Sequence, residues 1–396
     1  MLKGKNIVLA VTGSIAAYKS AYLASMLKKL HAEVTVLMTE NAVNFIHPIT
    51  FETLTGTKCL INTFDRNFQY NVEHVSLAKK TDLVVVAPAS ADVIGKIANG
   101  IADDMLTTTI MACRCKKIIA PAMNTNMYLN SVVQDNIKKL KHYGMEIITP
   151  ETGHLACGDE GIGKMPSEQT VLDYILREAA YEKDMAGKKV LVTAGPTMEK
   201  LDPVRFLSNH STGKMGYAIA ENAMQRGAEV TLVTGKTNIA PPPFVNVIHV
   251  VSAGDMFKAV AEHMDEQDII IKAAAVADYR PAKPAEEKIK KKDGMVSIEL
   301  ERTEDILKYI GEHRRENQFI CGFSMETENM VENSRRKLKE KRADMIVANN
   351  LKQEGAGFGT DTNIVVFITE NEIIEKPIMT KKEVAGEILN FIMQKV

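Results

Sequence analysis

The fold of the first half of the chain follows from residues 5–16, which read Lys-Asn-Ile-Val-Leu-Ala-Val-Thr-Gly-Ser-Ile-Ala. A near-continuous apolar run of this kind is typical of a strand that is buried on both faces of a parallel sheet. The Thr-Gly-Ser turn ends the strand, and apolar residues then recur at helical spacing as far as residue 30. A second strand follows at 33–38. The stretch therefore predicts a β-α-β unit with a tight glycine turn after its first strand.

Two further apolar runs, at 82–88 and 117–121, end in proline and are separated by helical segments. They extend the unit into a parallel sheet that is wound by helices. The pattern restarts at Gly187, with a strand at 188–193, a helix at 213–225 and a strand at 228–233. The strand sequences at 32–37 and 228–233 nearly repeat each other. A chain of 396 residues is also too long for one ordinary core. We therefore predict an α/β protein with two doubly wound Rossmann-like domains, at 1–180 and 187–396.

Composition excludes several classes of function. The net charge of −1 produces no global field that would favour nucleic acid or an anionic membrane surface. The apolar run near the N-terminus is far shorter than the ~20 residues of a membrane span. The five cysteines are scattered and contain no C-x-x-C pair, which favours free thiols in a reducing cytoplasm. The sequence thus predicts a cytoplasmic protein without nucleic-acid or membrane partners.

Polar residues of the front half gather where strands end. The turn at 13–16 precedes a helix, and the N–H groups of a helix N-terminus suit a phosphate monoester. Ser90, Asp92 and Asn124 follow the next strands, at the sheet edge where ligands of open α/β sheets bind. The dinucleotide pattern G-x-G-x-x-G is absent, so a scaffold that merely needs a tight turn remains the alternative.

Two residues of the front half are candidates for a direct part in the chemistry. Cys157 lies within a glycine-rich loop at 153–165, a setting that indicates a lid carrying a reactive thiol rather than a buried structural cysteine. His74 can act as a base near neutral pH, although a helix-capping or core histidine is the plainer alternative.

The rear half carries a polar run, Ser-Asn-His-Ser-Thr-Gly-Lys-Met-Gly at 208–216, which leads into a helix. Hydroxyls, glycine and lysine at a helix entrance suit phosphate oxygens, although the Walker A spacing is absent. Three alanines at 273–275 follow a buried strand and leave space for a base or ribose. Lys337 and Lys341 lie one helical turn apart. The basic run at 288–292 is either a ligand contact or a solvated surface.

The motifs of the front half, in this order, closely resemble those of the phosphopantothenoylcysteine decarboxylases over residues 5 to about 170. The resemblance implies a flavodoxin-like flavin domain in which His74 is the base, Asn124 holds the substrate carboxylate and Cys157 returns a proton. Tyr128 departs from the family, which often has tryptophan there. The implied FMN contacts are Gly13, Ser14, Ile15, Ala16, Thr39, Ser90 and Asp92.

The rear half closely resembles the phosphopantothenate–cysteine ligases, through Asp-Pro-Val-Arg-Phe at 202–206, the polar run at 208–216, Ala-Ala-Ala-Val-Ala-Asp-Tyr-Arg-Pro at 273–281 and Lys-Ile-Lys-Lys at 288–291. The resemblance implies CTP as co-substrate, Mg²⁺ held by its phosphates with Asp278 as a candidate ligand, and Asn209 and Lys288 as catalytic residues. The chain departs from the family at 303–304 and 324–325. The implied CTP contacts are Ala273, Ala274, Ala275, Asp278, Lys288, Phe323, Lys337 and Lys341.

Joined in this order, the halves resemble the bifunctional enzymes of coenzyme A biosynthesis. The implied substrates are 4′-phosphopantothenate, L-cysteine, CTP and phosphopantothenoylcysteine, and the implied assembly is a homo-oligomer with trimers of the front domain and dimers of the rear domain. Three alternatives stay open at this point: a dehydrogenase with two Rossmann-like folds, a flavin-binding regulatory subunit, and a front domain that acts on peptidyl cysteine.

Overall fold

The computed structural model describes residues 1–64, 73–156, 158–290, 297–326, 329–350 and 359–396. These residues form two compact units, Met1–Glu182 and Lys183–Val396, which we call the front unit and the rear unit.

The front unit contains strands, helices and one separate hairpin, numbered in chain order. Its strands are β1 Asn6–Val11, β2 Glu33–Met38, β3 Leu83–Ala89, β4 Lys116–Pro121, β5 Glu146–Ile147, and the antiparallel hairpin pair β6 Glu151–His154 and β7 Glu160–Lys164. Its helices are α1 Ala17–Lys29, α2 Glu40–Val43, α3 Pro48–Thr55, α4 Glu73–Lys80, α5 Ala91–Ala98, α6 Met105–Ala112, α7 Thr125–Leu129, α8 Ser131–His142 and α9 Glu168–Ala179.

The main sheet of the front unit is parallel, and its described strands run in the order β2-β1-β3-β4-β5. Leu9 and Val11 pack into one apolar cluster with α1 and α9, whereas Val8 and Ala10 pack into the opposite cluster with α5 and α6. Burial on both faces explains the near-continuous apolar run of β1, because successive side chains of a strand point to opposite faces. This strand order is that of the flavodoxin-like fold, which confirms the prediction for this half.

The rear unit is larger and also centres on a doubly wound sheet. Its strands are β8 Lys189–Ala194, β9 Met198–Lys200, β10 Phe206–Ser208, β11 Glu229–Thr234, β12 Asn246–His249, β13 Ile269–Lys272, β14 Tyr279–Pro281, β15 Leu300–Arg302, β16 Phe319–Glu326, β17 Met345–Asn350, β18 Thr362–Asn363, β19 Val365–Ile368, β20 Ile373–Glu375 and β21 Met379–Thr380. Its helices are α10 Lys214–Gln225, α11 Ala253–His263, α12 Ile306–His313, α13 Met330–Glu340 and α14 Lys381–Met393, with a 3₁₀ turn at Met264–Glu266.

The described strands of the main rear sheet run in the order β12-β11-β8-β13-β16-β17-β19-β20. The strands from β12 to β17 are parallel, and β19 and β20 add an antiparallel edge. Chain connections leave β8 toward β11 on one side, whereas the later strands continue from β13 on the other. The strand order therefore reverses between β8 and β13, where open α/β sheets form a ligand crevice. No helix in the described part of the chain is long and apolar enough to cross a membrane.

Candidate functional sites

The front unit has a pocket at the carboxyl ends of β1, β3 and β4, where its strand order reverses. The cavity measures about 430 Å³, which is within the usual range for a small-molecule site. Most of its wall is apolar, and polar groups lie at the strand ends. The lining residues are Gly13, Ser14, Ile15, Ala16, Tyr18, Lys19, Ser90, Ala91, Ala122, Met123, Asn124, Met127, His154, Leu155, Ala156, Gly163, Lys164 and Met165.

The entrance to α1 forms one end of this front pocket. A Cβ atom at Gly13 would lie 2.8 Å from Cβ of Asn41, so the turn passes too close to its neighbour for a larger residue. The Ser14 hydroxyl accepts from the N–H of Ala16 at 3.2 Å, and no side chain caps the helix at Ala16. The N–H groups of Ala17 and Lys19 donate to the carbonyls of Ser14 and Ala16, both at 3.0 Å, so the positive end of the α1 dipole is what makes this end of the pocket favourable for an anion.

Two predicted FMN contacts lie near this sheet edge but do not line the described pocket. Thr39 follows β2, and its hydroxyl caps α2 by accepting from the N–H of Ala42 at 3.2 Å. Asp92 lies in the first turn of α5, where its carboxylate is 3.7 Å from the Lys96 ammonium. By contrast, Ser90 caps α5 and does line the pocket.

Asn124 lies beside the β6–β7 hairpin at the other end of the front pocket. Its Oδ1 accepts from the N–H of Asn126 at 2.8 Å, and its Nδ2 donates to Oδ2 of Asp159 at 3.0 Å. The hairpin is fastened to the preceding segment, because the N–H of Met123 donates to the Gly163 carbonyl at 3.0 Å. A Cβ atom at Gly163 would lie 2.2 Å from the Met123 oxygen. The glycine-rich segment is therefore a hairpin docked on the site.

Neither of the other two predicted catalytic residues of the front unit is among the described residues that line this pocket. His74 is partly buried on α4, which packs against α6, and it does not line the pocket of its own chain. Cys157 lies outside the described residues.

Lys19 is a pocket residue that sequence reasoning missed. Its side chain is buried, and its ammonium donates to the carbonyls of Met165 at 3.0 Å and Pro166 at 3.5 Å. A lysine on the otherwise buried face of an apolar helix is the sequence signal that could have identified it.

The rear unit has a pocket at the entrance to α10, which we call the helix-entrance pocket. It measures about 130 Å³. Gly216 lets the helix approach the sheet closely, since a Cβ atom there would lie 2.6 Å from Cβ of Ala194. The lining residues are Ser211, Thr212, Gly213, Lys214, Met215, Gly216, Ala273, Ala274, Ala275, Phe323, Ser324, Met325, Asn349, Asn363 and Lys381.

The helix-entrance pocket contains, besides the expected Lys214, a second lysine and buried amides that the sequence did not single out. Lys214 forms an ion pair with Asp361 at 2.7 Å. Burial, and after it the charge of Lys214, lowers the pKa of Lys381. Asn349 is 5% exposed, and its Oδ1 has no hydrogen-bond partner in the described structure. A buried polar atom without a partner is costly, so this acceptor is available to a ligand that donates a hydrogen bond.

A second rear cavity, of about 570 Å³, lies beside the ends of β13, α12 and α13, and we call it the lysine pocket. Lys341 pairs with Asp305 at 2.7 Å, and the Lys337 ammonium donates to the Phe323 carbonyl at 2.9 Å. The lining residues are Lys272, Val276, Asp278, Tyr279, Arg302, Thr303, Glu304, Asp305, Ile306, Leu307, Lys308, Lys337 and Lys341.

Lys272 and Asp305 were missing from the predicted site. Burial, and after it the charge of Lys337, lowers the pKa of Lys272 to about 8, against the opposing influence of Asp278 and Asp305. Part of the Lys272 side chain reaches solvent, but its ammonium makes no hydrogen bond or ion pair with the described residues. Burial opposes the ionisation of Asp305, yet hydrogen bonds from Lys341 and from the N–H of Lys308 lower its pKa overall.

Seven of the eight predicted CTP contacts thus fall into two groups, and Lys288 lies in neither. The three alanines at 273–275 and Phe323 line the helix-entrance pocket, whereas Asp278, Lys337 and Lys341 line the lysine pocket. Within the described ranges no cluster of three or more His, Cys, Asp or Glu side chains is arranged to hold a metal ion.

The two predicted catalytic residues of the rear unit are exposed and lie outside the lining of both pockets. Asn209 donates from Nδ2 to the carbonyl of Ala275 at 2.9 Å, which places it at the rim of the helix-entrance pocket. Lys288 precedes Ile289, whose N–H donates to Asp202 at 3.2 Å.

Asp202 and Arg205 together hold this loop. Arg205 pairs with Asp202 at 2.5 Å and also donates to the Ile289 carbonyl at 2.8 Å. Hydrogen bonds from Arg205, and then from backbone N–H groups, hold the pKa of the Asp202 carboxyl well below its usual range.

These features define a two-unit α/β protein with candidate ligand pockets at the carboxyl ends of its parallel strands. Comparison with known proteins gives the particular family. Residues 1–180 match the flavoprotein family model, and residues 185–396 match the model of the DNA/pantothenate metabolism flavoprotein C-terminal domain.

Full-length relatives agree with both matches. The coenzyme A biosynthesis bifunctional protein CoaBC of Bacillus subtilis strain 168 is 46% identical over 396 residues, covering 99% of this chain and 97% of the relative. The protein of the same name from Borreliella burgdorferi is 42% identical over 394 residues, covering 99% and 100%. A solved C-terminal domain of a CoaBC protein is 48% identical and covers 54% of this chain and 98% of its own, with a TM-score of 0.47.

The chain belongs to the family of coenzyme A biosynthesis bifunctional proteins. It is a bifunctional enzyme with a flavoprotein decarboxylase domain followed by a ligase domain, as the resemblance predicted.

Proposed function

We propose that the front pocket binds FMN and decarboxylates 4′-phosphopantothenoylcysteine, and that the two rear pockets together bind CTP and 4′-phosphopantothenate to make that compound from cysteine. The observation that carries the front assignment is the orientation of Asn124. Its Oδ1 is occupied by the N–H of Asn126, so its amide donor is directed toward the hairpin side of the pocket. A neutral donor suits a carboxylate that must leave as CO2, because no cation opposes its departure.

The residues of the front pocket fit FMN. The close turn at Gly13 and the uncapped entrance of α1 suit a phosphate monoester, and the apolar wall suits a planar ring. When bound, FMN supplies a two-electron acceptor that oxidises the cysteine thiol and later returns the electrons. Ser90 and residues 13–16 would hold the group. Asn124 orients the substrate carboxylate, and the family resemblance assigns proton transfers to His74 and Cys157.

The placement of His74 supports a shared front site. In its own chain this residue lies on α4 and does not line the pocket. The resemblance implies trimers whose decarboxylase site is completed between subunits, and we extend that assembly to this chain, with His74 acting in the pocket of a neighbouring copy. Mixing an inactive His74→Asn variant with an inactive Asn124→Ala variant should restore decarboxylation. Absence of any recovery in mixed oligomers would count against the shared site.

In the rear unit the carboxylate of 4′-phosphopantothenate attacks the α-phosphorus of CTP, and the bond to pyrophosphate breaks. The cysteine amine then attacks the acyl carbon, and CMP leaves. Lysines in both pockets and the entrance of α10 offset phosphate charge. Asn209 lies at the pocket rim for the acyl group, and Lys288 serves the second step. Mg²⁺ would be held by the phosphates and by Asp278, which lines the lysine pocket with Asp305.

The proposal is tested by incubating the full-length protein with 4′-phosphopantothenate, cysteine, CTP and Mg²⁺ and measuring product masses. Phosphopantetheine, CMP, pyrophosphate and CO2 are expected. Replacing CTP by ATP in a parallel arm tests the nucleotide preference. Cys157→Ser should stop the front reaction while CMP release continues, and equal loss of both reactions would contradict the division of labour.

A further inference from the structure

The Asn124 amide, proposed to hold the substrate carboxylate, already donates to a carboxylate of the protein itself. Nδ2 of Asn124 donates to Oδ2 of Asp159 at 3.0 Å, and Asp159 belongs to the same chain. The amide cannot turn around without losing the hydrogen bond from the N–H of Asn126 to its Oδ1. The end of Asn124 that meets Asp159 is therefore the donor end, which is the end that would hold a substrate carboxylate.

The hairpin holds Asp159 in this place by its backbone. The N–H of Leu155 donates to the Asp159 carbonyl at 2.8 Å, and the N–H of Gly158 donates to the Leu155 carbonyl at 2.9 Å. Gly158 has a φ of +88°, a conformation that favours glycine at this tight turn. The Asp159 side chain itself is exposed. Its carboxylate can consequently leave Asn124 for water without the cost of burying a charge.

A substrate carboxylate and Asp159 cannot share this amide at low cost. Two carboxylates on one donor group would lie within a few ångströms of each other, and like charges at that separation oppose each other's ionisation. A hydrogen bond to an ionised acceptor is also stronger than one to a neutral group, so each carboxylate competes effectively with water for the amide.

We propose that Asp159 occupies the Asn124 amide in the free enzyme and is exchanged for the carboxylate of the substrate. The proposal rests on the function proposed for Asn124. Once CO2 has left, the product has no carboxylate to hold the amide, so Asp159 takes it again and favours product release. In the free enzyme the Asn124 amide therefore donates to a carboxylate, as it does when the substrate is bound.

Two unreactive ligands test this exchange in the full-length holoenzyme. The first is 4′-phosphopantothenoylserine, which keeps the carboxylate but has no thiol for the flavin to oxidise. The second is its counterpart with ethanolamine in place of serine, which lacks the carboxylate as well. Binding is followed by the change in visible flavin absorbance, because that signal reports the front pocket even if the rear unit binds the same ligands.

Asp159→Ala should bind the serine ligand about tenfold more tightly, while affinity for the ethanolamine ligand changes less than about twofold. Asp159→Asn keeps a neutral acceptor and should fall between wild type and Asp159→Ala. As a matched control, Asp135→Ala removes an exposed carboxylate of α8 that pairs with Lys138, and should leave both affinities unchanged.

Unchanged or weaker binding of the serine ligand by Asp159→Ala overturns the exchange, as does an equal gain for both ligands. Asn124→Ala separates this result from a failure of the proposed function. If Asn124→Ala does not weaken the serine ligand, then the role of Asn124 is itself wrong and the exchange falls with it. If it does weaken that ligand but Asp159→Ala does not strengthen it, only the exchange is wrong.

Discussion

The hydroxyl of Thr12 accepts a hydrogen bond from the N–H of Ser90 at 2.9 Å and donates one to the Pro88 carbonyl at 2.8 Å. Thr12 has no exposed surface. Its hydroxyl therefore ties the turn after β1 to the turn after β3, and both turns line the front pocket. The sheet edge at this pocket is held by a buried polar contact rather than by apolar packing alone.

Thr12→Val should destabilise the front unit and weaken flavin binding. Valine has nearly the same shape, but it leaves the Ser90 N–H and the Pro88 carbonyl buried without this partner. Such a loss costs about 1–3 kcal/mol. Denaturant unfolding followed by flavin fluorescence measures both effects. Thr12→Ser keeps the hydroxyl and should retain most of the stability; a Thr12→Val protein as stable as the wild type would show that these hydrogen bonds contribute little.

Gly163→Ala should detach the β6–β7 hairpin from the front pocket. A Cβ atom at this position would lie 2.2 Å from the Met123 oxygen, and the residue has a φ of +140°. We expect decarboxylation to fall by more than about tenfold, since misplacing a site by 1 Å can cost two orders of magnitude. Pyrophosphate and CMP release by the rear unit should continue at the wild-type rate.

Gly144→Ala is the matched control for this variant. Gly144 also has positive φ, at +79°, but a Cβ atom there meets nothing within 4 Å. A decarboxylation rate that falls equally in both variants would attribute the loss to backbone strain instead of to the hairpin contact.

Lys272→Met should change the pH dependence of nucleotide binding. The pKa of Lys272 is lowered to about 8, mainly by burial. Phosphate charge in the lysine pocket should raise it toward the ordinary value, so wild-type enzyme should take up a proton on binding CTP above about pH 8. Below that pH the ammonium is already charged and no uptake is expected. Wild-type affinity should therefore decline as the pH rises through about 8.

Calorimetry in two buffers with different ionisation enthalpies measures this proton uptake. Lys272→Met should abolish the uptake and flatten the decline in affinity between pH 8 and about 10, the range between the lowered and the ordinary pKa of lysine. Lys308→Met serves as the control, because Lys308 lines the same pocket but is largely exposed and pairs loosely with Glu312 at 3.8 Å. Proton uptake that persists in Lys272→Met would assign it to another group.

The fold could be predicted because its signals are local. The apolar run at 5–11 became β1 Asn6–Val11, and the helical spacing at 213–225 became α10 Lys214–Gln225. Burial on both faces leaves an uninterrupted apolar pattern, and this pattern does not depend on which strand lies alongside.

The direction of each polar side chain was harder to predict. Thr39 and Asp92 lie near the expected sheet edge, but the nearby Ala42 N–H and Lys96 ammonium engage their side chains. The division of the predicted CTP contacts between two pockets depends on how the segments after β13 and β16 pass each other. Spacing along the chain carries no information about that arrangement. Lys272 was missed for the same reason, since its environment is assembled from α12, α13 and the segment after β13.

Asp202→Asn should slow the second step of ligation more than the first. The Asp202 carboxylate accepts from the N–H of Ile289 and pairs with Arg205, which in turn donates to the Ile289 carbonyl. These contacts hold the loop that carries Lys288, the residue proposed for the attack by cysteine. An amide in place of the carboxylate removes the charge that orients Arg205 and loosens that loop. Pyrophosphate should then be released faster than CMP, and the acyl-cytidylate should accumulate in a quenched reaction analysed by mass spectrometry.

The exposed Asp265 supplies the control, because Asp265→Asn changes a charge at the 3₁₀ turn Met264–Glu266 and should leave the two release rates matched. Equal slowing of both releases by Asp202→Asn would show instead that Asp202 supports the rear unit as a whole. Only a defect confined to the second step makes the rate of CMP release fall below the rate of pyrophosphate release.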